Sequence, residues 1–345
     1  MIRGRWRNRP MGKSPECGVS AGWVSWSLLL CFLLLGASVG CHRRPTTKIT
    51  LSGGSLAGAW SAISEGVASC LRREMPGAAI TYEVGLDGAN AAIVDSGRVQ
   101  LGLIHSGLGQ MAVQGEYPYE KKLDNVRGIS LVYSNSALHF VVNAKTGLTS
   151  LEQIKQQKYP LRVSVIYRGS MMEIASKAVL EAYGITYRDI ESWGGKVYFR
   201  ALQPSLELMK DDRLDAISLV VQFPETNLNE ASLRQSFRLL PLSEQVIERI
   251  NQQLGTYKSE IPAGTYRFTP QAVATFSDSA ILIGYAGMSD DLVYQITGAL
   301  FRNIAYLHTV HRALSKLQPP DMPQVGHLPL HPGAARFYRE ASLLP

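Results

Sequence analysis

From Ile49 to the last residue, short apolar runs of strand length alternate with stretches of helical periodicity. A chain in which strand and helix patterns take turns covers a mainly parallel sheet with helices, so the class it specifies is α/β. Strands are expected at 48–51, 79–84, 101–104, 129–142, 161–166, 216–221, 237–241 and 273–284. Helices are expected at 60–73, 89–96, 151–156, 172–183, 203–210, 243–254 and 290–307. One run breaks the rhythm. SLVYSNSALHFVVNAK, starting at Ser130, has no turn residue in its apolar core 138–142 and is long enough to pass from one lobe to another. With 345 residues and 46% apolar content the chain can bury two cores. The expected division is 49–133 plus 243–345 as a discontinuous first lobe and 134–242 as a second, with a cleft between them.

The formal charge of +7 is concentrated at the start, where Arg3, Arg5, Arg7, Arg9 and Lys13 face only Glu16. What is left carries +3 with no Lys/Arg stripe, which argues against a nucleic-acid partner. The basic start precedes the apolar run AGWVSWSLLLCFLLLGASVGC, from Ala21 to Cys41, in the order of an export signal. Ala37-Ser38-Val39-Gly40 before Cys41 resembles a lipobox with Ser38 where Leu is usual, so 1–41 reads as a signal peptide with Cys41 as the lipidation site. Plain cleavage and an uncleaved anchor are the alternatives, since about 20 apolar residues can span a bilayer. Residues 42–48, HRRPTTK, read as a tether. Each route places the body outside the cytoplasm. Cys17 and Cys31 lie in the leader, which leaves Cys70 alone in the body, in a helical apolar pattern that suits a small buried hydrophobe.

Ser, Gly and Asn gather just after strands and just before helices in three places. SGGSLAGAW carries Ser52, Gly53, Gly54, Ser55 and Gly58; GLDGAN carries Asp87, Gly88 and Asn90; YRGS carries Arg168, Gly169 and Ser170. In open α/β sheets ligands bind beyond the carboxyl ends of strands, where helix N–H groups favour an anion and glycine lets the main chain approach. Any one cluster is ordinary capping or turn chemistry. Three split between two lobes point to a shared anion or carboxylate site, with His105 and Ser106 after the third strand as a polar lip. Enzyme motifs are sparse: there is no HExxH, CxxC or P-loop lysine, and Ser170 in YRGSM lacks the second glycine of a GxSxG elbow. His308 and His311 read as a solvated helix face, His327 and His331 as packing or turn in a Pro-broken tail, and Asp211-Asp212 as a polar loop. No metal site or cofactor is expected.

Six strings in register carry a resemblance: GSLAGAWSAISEGVA, DGANAAIVDSGRVQLGLIHSG, RVSVIYRGSMMEIASKAVLEAYGI, LMKDDRLDAISLVVQFP, IPAGTYRFTPQAVAT and PLHPGAARFYRE. Together they resemble the TAXI family, the extracytoplasmic solute receptors of TRAP transporters, over Ile49 to Glu340. The resemblance implies a periplasmic-binding-protein-like fold, type II, with two α/β lobes closing on a ligand in the manner of a Venus flytrap. It implies delivery of a small organic anion or amino acid to TRAP-type membrane permease subunits, and no catalysis. Gly54, Ser55, Gly58 and Trp60 fall on that family's GTxGG-aromatic motif, Asn90 on the Asn of GSVxN, His105-Ser106 on the polar pair after the third strand, and Gly169-Ser170 on the start of GSGT.

The departures bear on the ligand. Asp87 stands where that family usually has Ser, Met171-Met172 replace Gly-Thr, and Gln222-Phe223 precede Pro224 where Gly-x-Pro is common. If Asp87 and Arg168 both face the cleft they suit a zwitterion, Arg168 on its carboxylate and Asp87 on its amine. Trp60 would supply an apolar or cation-facing wall. A partner that senses ligand for a membrane signalling protein, and an interaction protein that has lost ligand binding, are the alternatives on the same scaffold.

Overall fold

The computed structural model describes residues 47–55 and 59–345, so the leader with Cys41, most of the tether and Gly58 lie outside the described residues. In chain order β1 (Thr47–Ser52), α1 (Ala59–Glu74), β2 (Ala78–Glu83), α2 (Asp87–Asp95), β3 (Leu101–His105) and α3 (Ser106–Gln114) repeat a strand-helix unit. The 18-residue strand β4 (Val126–Asn143) follows. Then come α4 (Glu152–Gln156), β5 (Arg162–Ser164), α5 (Met171–Ala182), α6 (Tyr187–Ser192), β6 (Lys196–Tyr198), α7 (Leu202–Lys210), β7 (Ala216–Gln222), α8 (Thr226–Ala231) and β8 (Phe237–Leu239). The last part holds α9 (Glu244–Leu254), β9 (Tyr257–Ile261), β10 (Val273–Tyr285), α10 (Asp290–Arg302), α11 (Ile304–Val310) and α12 (Pro332–Glu340).

Among the described residues ten strands form one mixed sheet in the order β2-β1-β3-β10-β4-β7-β5-β6, with β8 beside β4 and β9 beside β10. Parallel pairing holds towards each end, β1 with β2 and β3, and β5 with β6 and β7. It fails in the middle, where β4 and β10 run antiparallel to each other and to their neighbours. Both long strands change partners at one level. β4 pairs β10 from Val126 to Ala137 and β7 from Ser136 to Val142; β10 pairs β9 up to Ser277 and β3 from Ala280. The exchange lies at the register pair Ser136–Asp278, beside a bulge between Asp278 and Ala280 and beside Asn135, whose φ is 68°. A bulge re-aims side chains and adds local twist, and Asn tolerates the left-handed region better than most residues, so the two ends of the sheet are joined by a kinked pair of strands.

The core follows the periodicity. On α1, Ile63, Val67, Cys70 and Leu71 form one fully buried stripe, the i, i+4, i+7, i+8 pattern of a helix lying on a sheet. All five residues of β3 are buried, as a strand covered on both faces requires. Burial pushes the Cys70 thiol up to about 12, so it stays protonated and packs as a small hydrophobe. The LHPG segment is a helix start: His331 Nδ1 accepts from the Gly333 N–H, Pro332 takes the first helical position, and a Cβ on Gly333 would lie 2.1 Å from the Asp290 carbonyl.

Several expectations need correcting. Thr47 and Lys48, read as tether, begin β1. The strand expected at 161–166 is only Arg162–Ser164, because Ile166 turns to a φ of 71° and the chain leaves the sheet there. The helix expected at 290–307 breaks at Asn303, whose side-chain amide donates to the Ala299 carbonyl. His308 and His311 therefore share no helix face. His308 Nε2 reaches the Leu317 carbonyl at 2.8 Å, and His311 caps the following turn.

Candidate functional site

The three clusters of small residues do stand where strands give way to helices. The first two close on each other through Asn90. Its side chain accepts from Ser52 Oγ (3.0 Å) and donates to the Gly53 carbonyl (2.9 Å) and the Leu103 carbonyl (2.7 Å), so one buried amide ties the end of β1 and the edge of β3 to α2. All of its capacity for the groups it meets is used within the chain, which makes Asn90 a positioning residue. Gly54 is buried, and a Cβ on it would meet Trp60 Cβ at 2.3 Å; Tyr82 Oη donates to its carbonyl. Ser55 is half-buried next to it.

The centre of the site is His105, at the end of β3 and 2% exposed. Its backbone N–H donates to Asp87 Oδ1 (3.0 Å) and its ring Nδ1 lies 2.9 Å from Asp87 Oδ2. The Trp60 ring packs against the imidazole with centroids 4.7 Å apart, and the indole N–H donates to Tyr133 Oη at 2.6 Å. Behind His105, Ser106 Oγ donates to Asp278 Oδ1 and the Gly107 N–H to Asp278 Oδ2. Asp278 thus caps the N-terminus of α3 from the bulged part of β10, fully buried at the level where both long strands change partners.

These charges decide one another's protonation. Burial alone pulls the His105 pKa down, but the adjoining carboxylate of Asp87, its hydrogen bond and the charge of Asp278 outweigh that and hold it above the ordinary histidine value. Burial raises Asp278 above the usual carboxylate range, against the opposing pull of His105, Ser106 and two backbone N–H groups. Tyr133 is pushed up to about 12 by burial and remains a phenol.

The third cluster meets the first two at the same place. Asp87 Oδ2 also accepts from the Met171 N–H (3.1 Å), the first residue of α5, so one carboxylate joins α2, β3 and the start of α5. Ser170 caps α5 with its hydroxyl on the Glu173 N–H, and Gly169 makes the turn at a φ of 71°. The main chains touch here: a Cβ on Gly88 would lie 1.9 Å from the Gly169 carbonyl oxygen. Met171 is fully buried, and its terminal methyl would be 2.9 Å from a Cβ on Gly107.

The zwitterion reading needs Asp87 and Arg168 both facing the cleft, and each side chain already has a partner within the chain. Asp87 is engaged by His105 and Met171, whereas Arg168 is exposed with its guanidinium 3.6 Å over the Phe199 ring. Two further acids, Asp278 and Glu173, belong to the site. Asp278 interrupts the apolar run of β10, and a lone acid inside a long strand was the available signal. Glu173 completes an S-x-x-E pattern with Ser170; it is 3% exposed and accepts from Tyr117 Oη (3.2 Å), Tyr187 Oη (3.3 Å) and the Gly169 N–H (3.2 Å). Near it a pocket of about 160 Å³, lined by Met111, Glu116, Tyr117, Ile174, Lys177 and Leu254 among others, opens between α3 and α5. Pockets for ordinary organic ligands start at ~300 Å³.

The sequence pattern of the NMT1-like family matches residues 51–341. Among solved structures the chain is similar to the periplasmic binding protein BugD, at 12% identity and a TM-score of 0.51 over 86% of this chain and 98% of that one. It is similar to MatC (Rpa3494) from Rhodopseudomonas palustris with bound malate, at 13% identity and 0.53 over 86% and 97%. PhnD1 from Prochlorococcus marinus, in complex with methylphosphonate, matches at 11% identity and 0.51 over 86% and 98%. At such identities the likeness establishes the fold, the two-lobed type II architecture of periplasmic binding proteins.

Proposed function

The chain belongs to the NMT1-like family, and from that premise we propose that it is an extracytoplasmic solute receptor. It binds a small organic anion or amino acid, of the dicarboxylate, 2-oxo acid or glutamate-like kind, and delivers it to the subunits of a TRAP-type membrane permease. The lobes are 47–133 with 243–345 and 134–242; Cys41 carries the lipid that holds the body at the membrane of a Gram-negative periplasm. The observation that carries the reading is the meeting of Met171, at the start of α5, with His105, at the end of β3, on one carboxylate beside the strand exchange. Closure of two lobes about a hinge brings together groups of this kind, and binding energy realised only in the closed form shifts the population towards it. That MatC was solved with malate and PhnD1 with methylphosphonate supports a small anion as the ligand class.

The test is a thermal-shift screen of the purified chain against amino acids, dicarboxylates and 2-oxo acids. A ligand at 100 times its Kd stabilises the native state by ~2.7 kcal/mol, a shift of several degrees. No shift for any member of the panel refutes the reading for these solutes. A second reading, an interaction protein that no longer binds ligand, is favoured by the fully buried Met171 and the engaged Asp87, which fill space where small donors would leave room.

A further inference from the structure

The anion sites that this fold offers are occupied by the chain's own carboxylates. Two helix N-termini converge on His105. Asp278 sits on that of α3, with Ser106 Oγ and the Gly107 N–H on its two oxygens, and Asp87 sits on that of α5, through the Met171 N–H. The two acids have different standing. Asp278 is 0% exposed and lies within β10, next to the helix it caps. Asp87 reaches from α2 across to α5, 84 residues away in sequence, and its side chain is 13% exposed. The contact it makes is flanked by Gly88 against Gly169 and by Tyr117 on Glu173. The imidazole it touches is 2% exposed and has a second nitrogen, Nε2, with no partner among the described residues.

We propose that Asp87 is a built-in stand-in for the anionic group of a ligand: a latch that holds α5 against α2 and β3, and that a solute anion must displace to enter. The inference rests on the receptor reading and names the regulation of that site. A carboxylate fits because it accepts from a helix N-terminus, from the His105 backbone N–H and from the imidazole Nδ1–H at once. An anion entering the site takes over these donors, and Asp87 moves out towards solvent on the exposed side of α2. Its effective concentration, set by the chain, makes it a competitor that weak anions cannot displace.

Small-angle scattering of the purified chain, with no solute, with acetate and with acetamide, tests this. At pH 6 the wild type is expected to be compact in all three. Asp87→Ala is expected to have a larger radius of gyration without solute and to return to the wild-type value with acetate, which restores the missing carboxylate, but not with acetamide, which has its size without its charge. Circular dichroism verifies the fold, and Asp87→Asn, which keeps the shape, decides the matter if the alanine variant does not fold. An expanded wild type, a variant as compact as the wild type without solute, or rescue by acetamide as good as by acetate overturns the proposal. If the wild type answers no solute in the thermal screen while Asp87→Ala opens and acetate closes it, the latch stands and the receptor reading falls for the solutes screened. If a solute binds but the variant stays compact, the latch falls and the receptor reading stands.

Discussion

His139 illustrates what burial does to a single ionisable side chain. It lies on β4, fully buried, with Nδ1 on the Ala137 carbonyl and Nε2 2.9 Å from Tyr266 Oη. Burial lowers its pKa to about 4, so in the native state the ring stays neutral where an unfolded chain's histidine would take a proton. A depressed folded value contributes stability that is present above the unfolded value near 6.5 and is lost as the pH falls towards 4. Between pH 7 and 4.5 the wild type is expected to lose about 2 to 3 kcal/mol more folding free energy than His139→Gln, measured by denaturant unfolding at the two pH values. Equal losses would show that the ring is protonated in the native state. Asp87, by contrast, could be picked out of the sequence as unusual, yet its partners could not: a carboxylate beside a glycine is equally a solvent-facing turn residue until the Met171 N–H is found on it.

At the scale of elements, the start of α12 carries the clearest lesson. His331 and Pro332 in LHPGA could be read as a broken tail, but they are a cap and a first helical residue, and the following Phe337 and Tyr338 are buried, with Tyr338 Oη donating to the Ile129 carbonyl. Replacing His331 with Ala removes the acceptor for the Gly333 N–H and is expected to cost about 1 kcal/mol. Gly333→Ala is expected to cost more, because its Cβ would lie 2.1 Å from a backbone carbonyl that cannot rotate away. Thermal unfolding of both variants orders them; a milder effect for Gly333→Ala would mean that α12 shifts easily on α10. Long periodic elements such as α1, α5, α9 and the strands β4 and β10 were legible, since packing on a sheet demands their apolar stripes. The short helices α6 and α8, and the strand β9, were not. So few residues give periodicity little to act on, although the five-residue α4 was legible at 151–156, whereas the nine-residue α3 was hidden because Gly107 and Gly109 lower helix propensity.

For the whole molecule, closure and protonation are linked through His105. Its pKa is raised in the folded state by Asp87 and Asp278, so its contribution is full below about 6.5 and is lost as the pH rises through the raised value. Above that value the neutral ring no longer offsets the charges of Asp87 and Asp278, while Tyr119 and Tyr133 remain protonated because burial raises both. The compact form is therefore expected to open more readily at pH 9 than at pH 6, read as a larger radius of gyration; no change in Asp87→Ala over that range, beside a change in the wild type, assigns the effect to this pair. By itself the sequence determined the α/β class, the long connecting strand and the three turns rich in small residues, because apolar periodicity and turn chemistry are local properties. Only the tertiary structure decided that the sheet is antiparallel at its centre, that Arg168 lies on the surface and that Asp87 bridges to α5. Those outcomes depend on which backbone donors arrive beside which side chain, over 84 residues of intervening chain, and no local pattern encodes that distance.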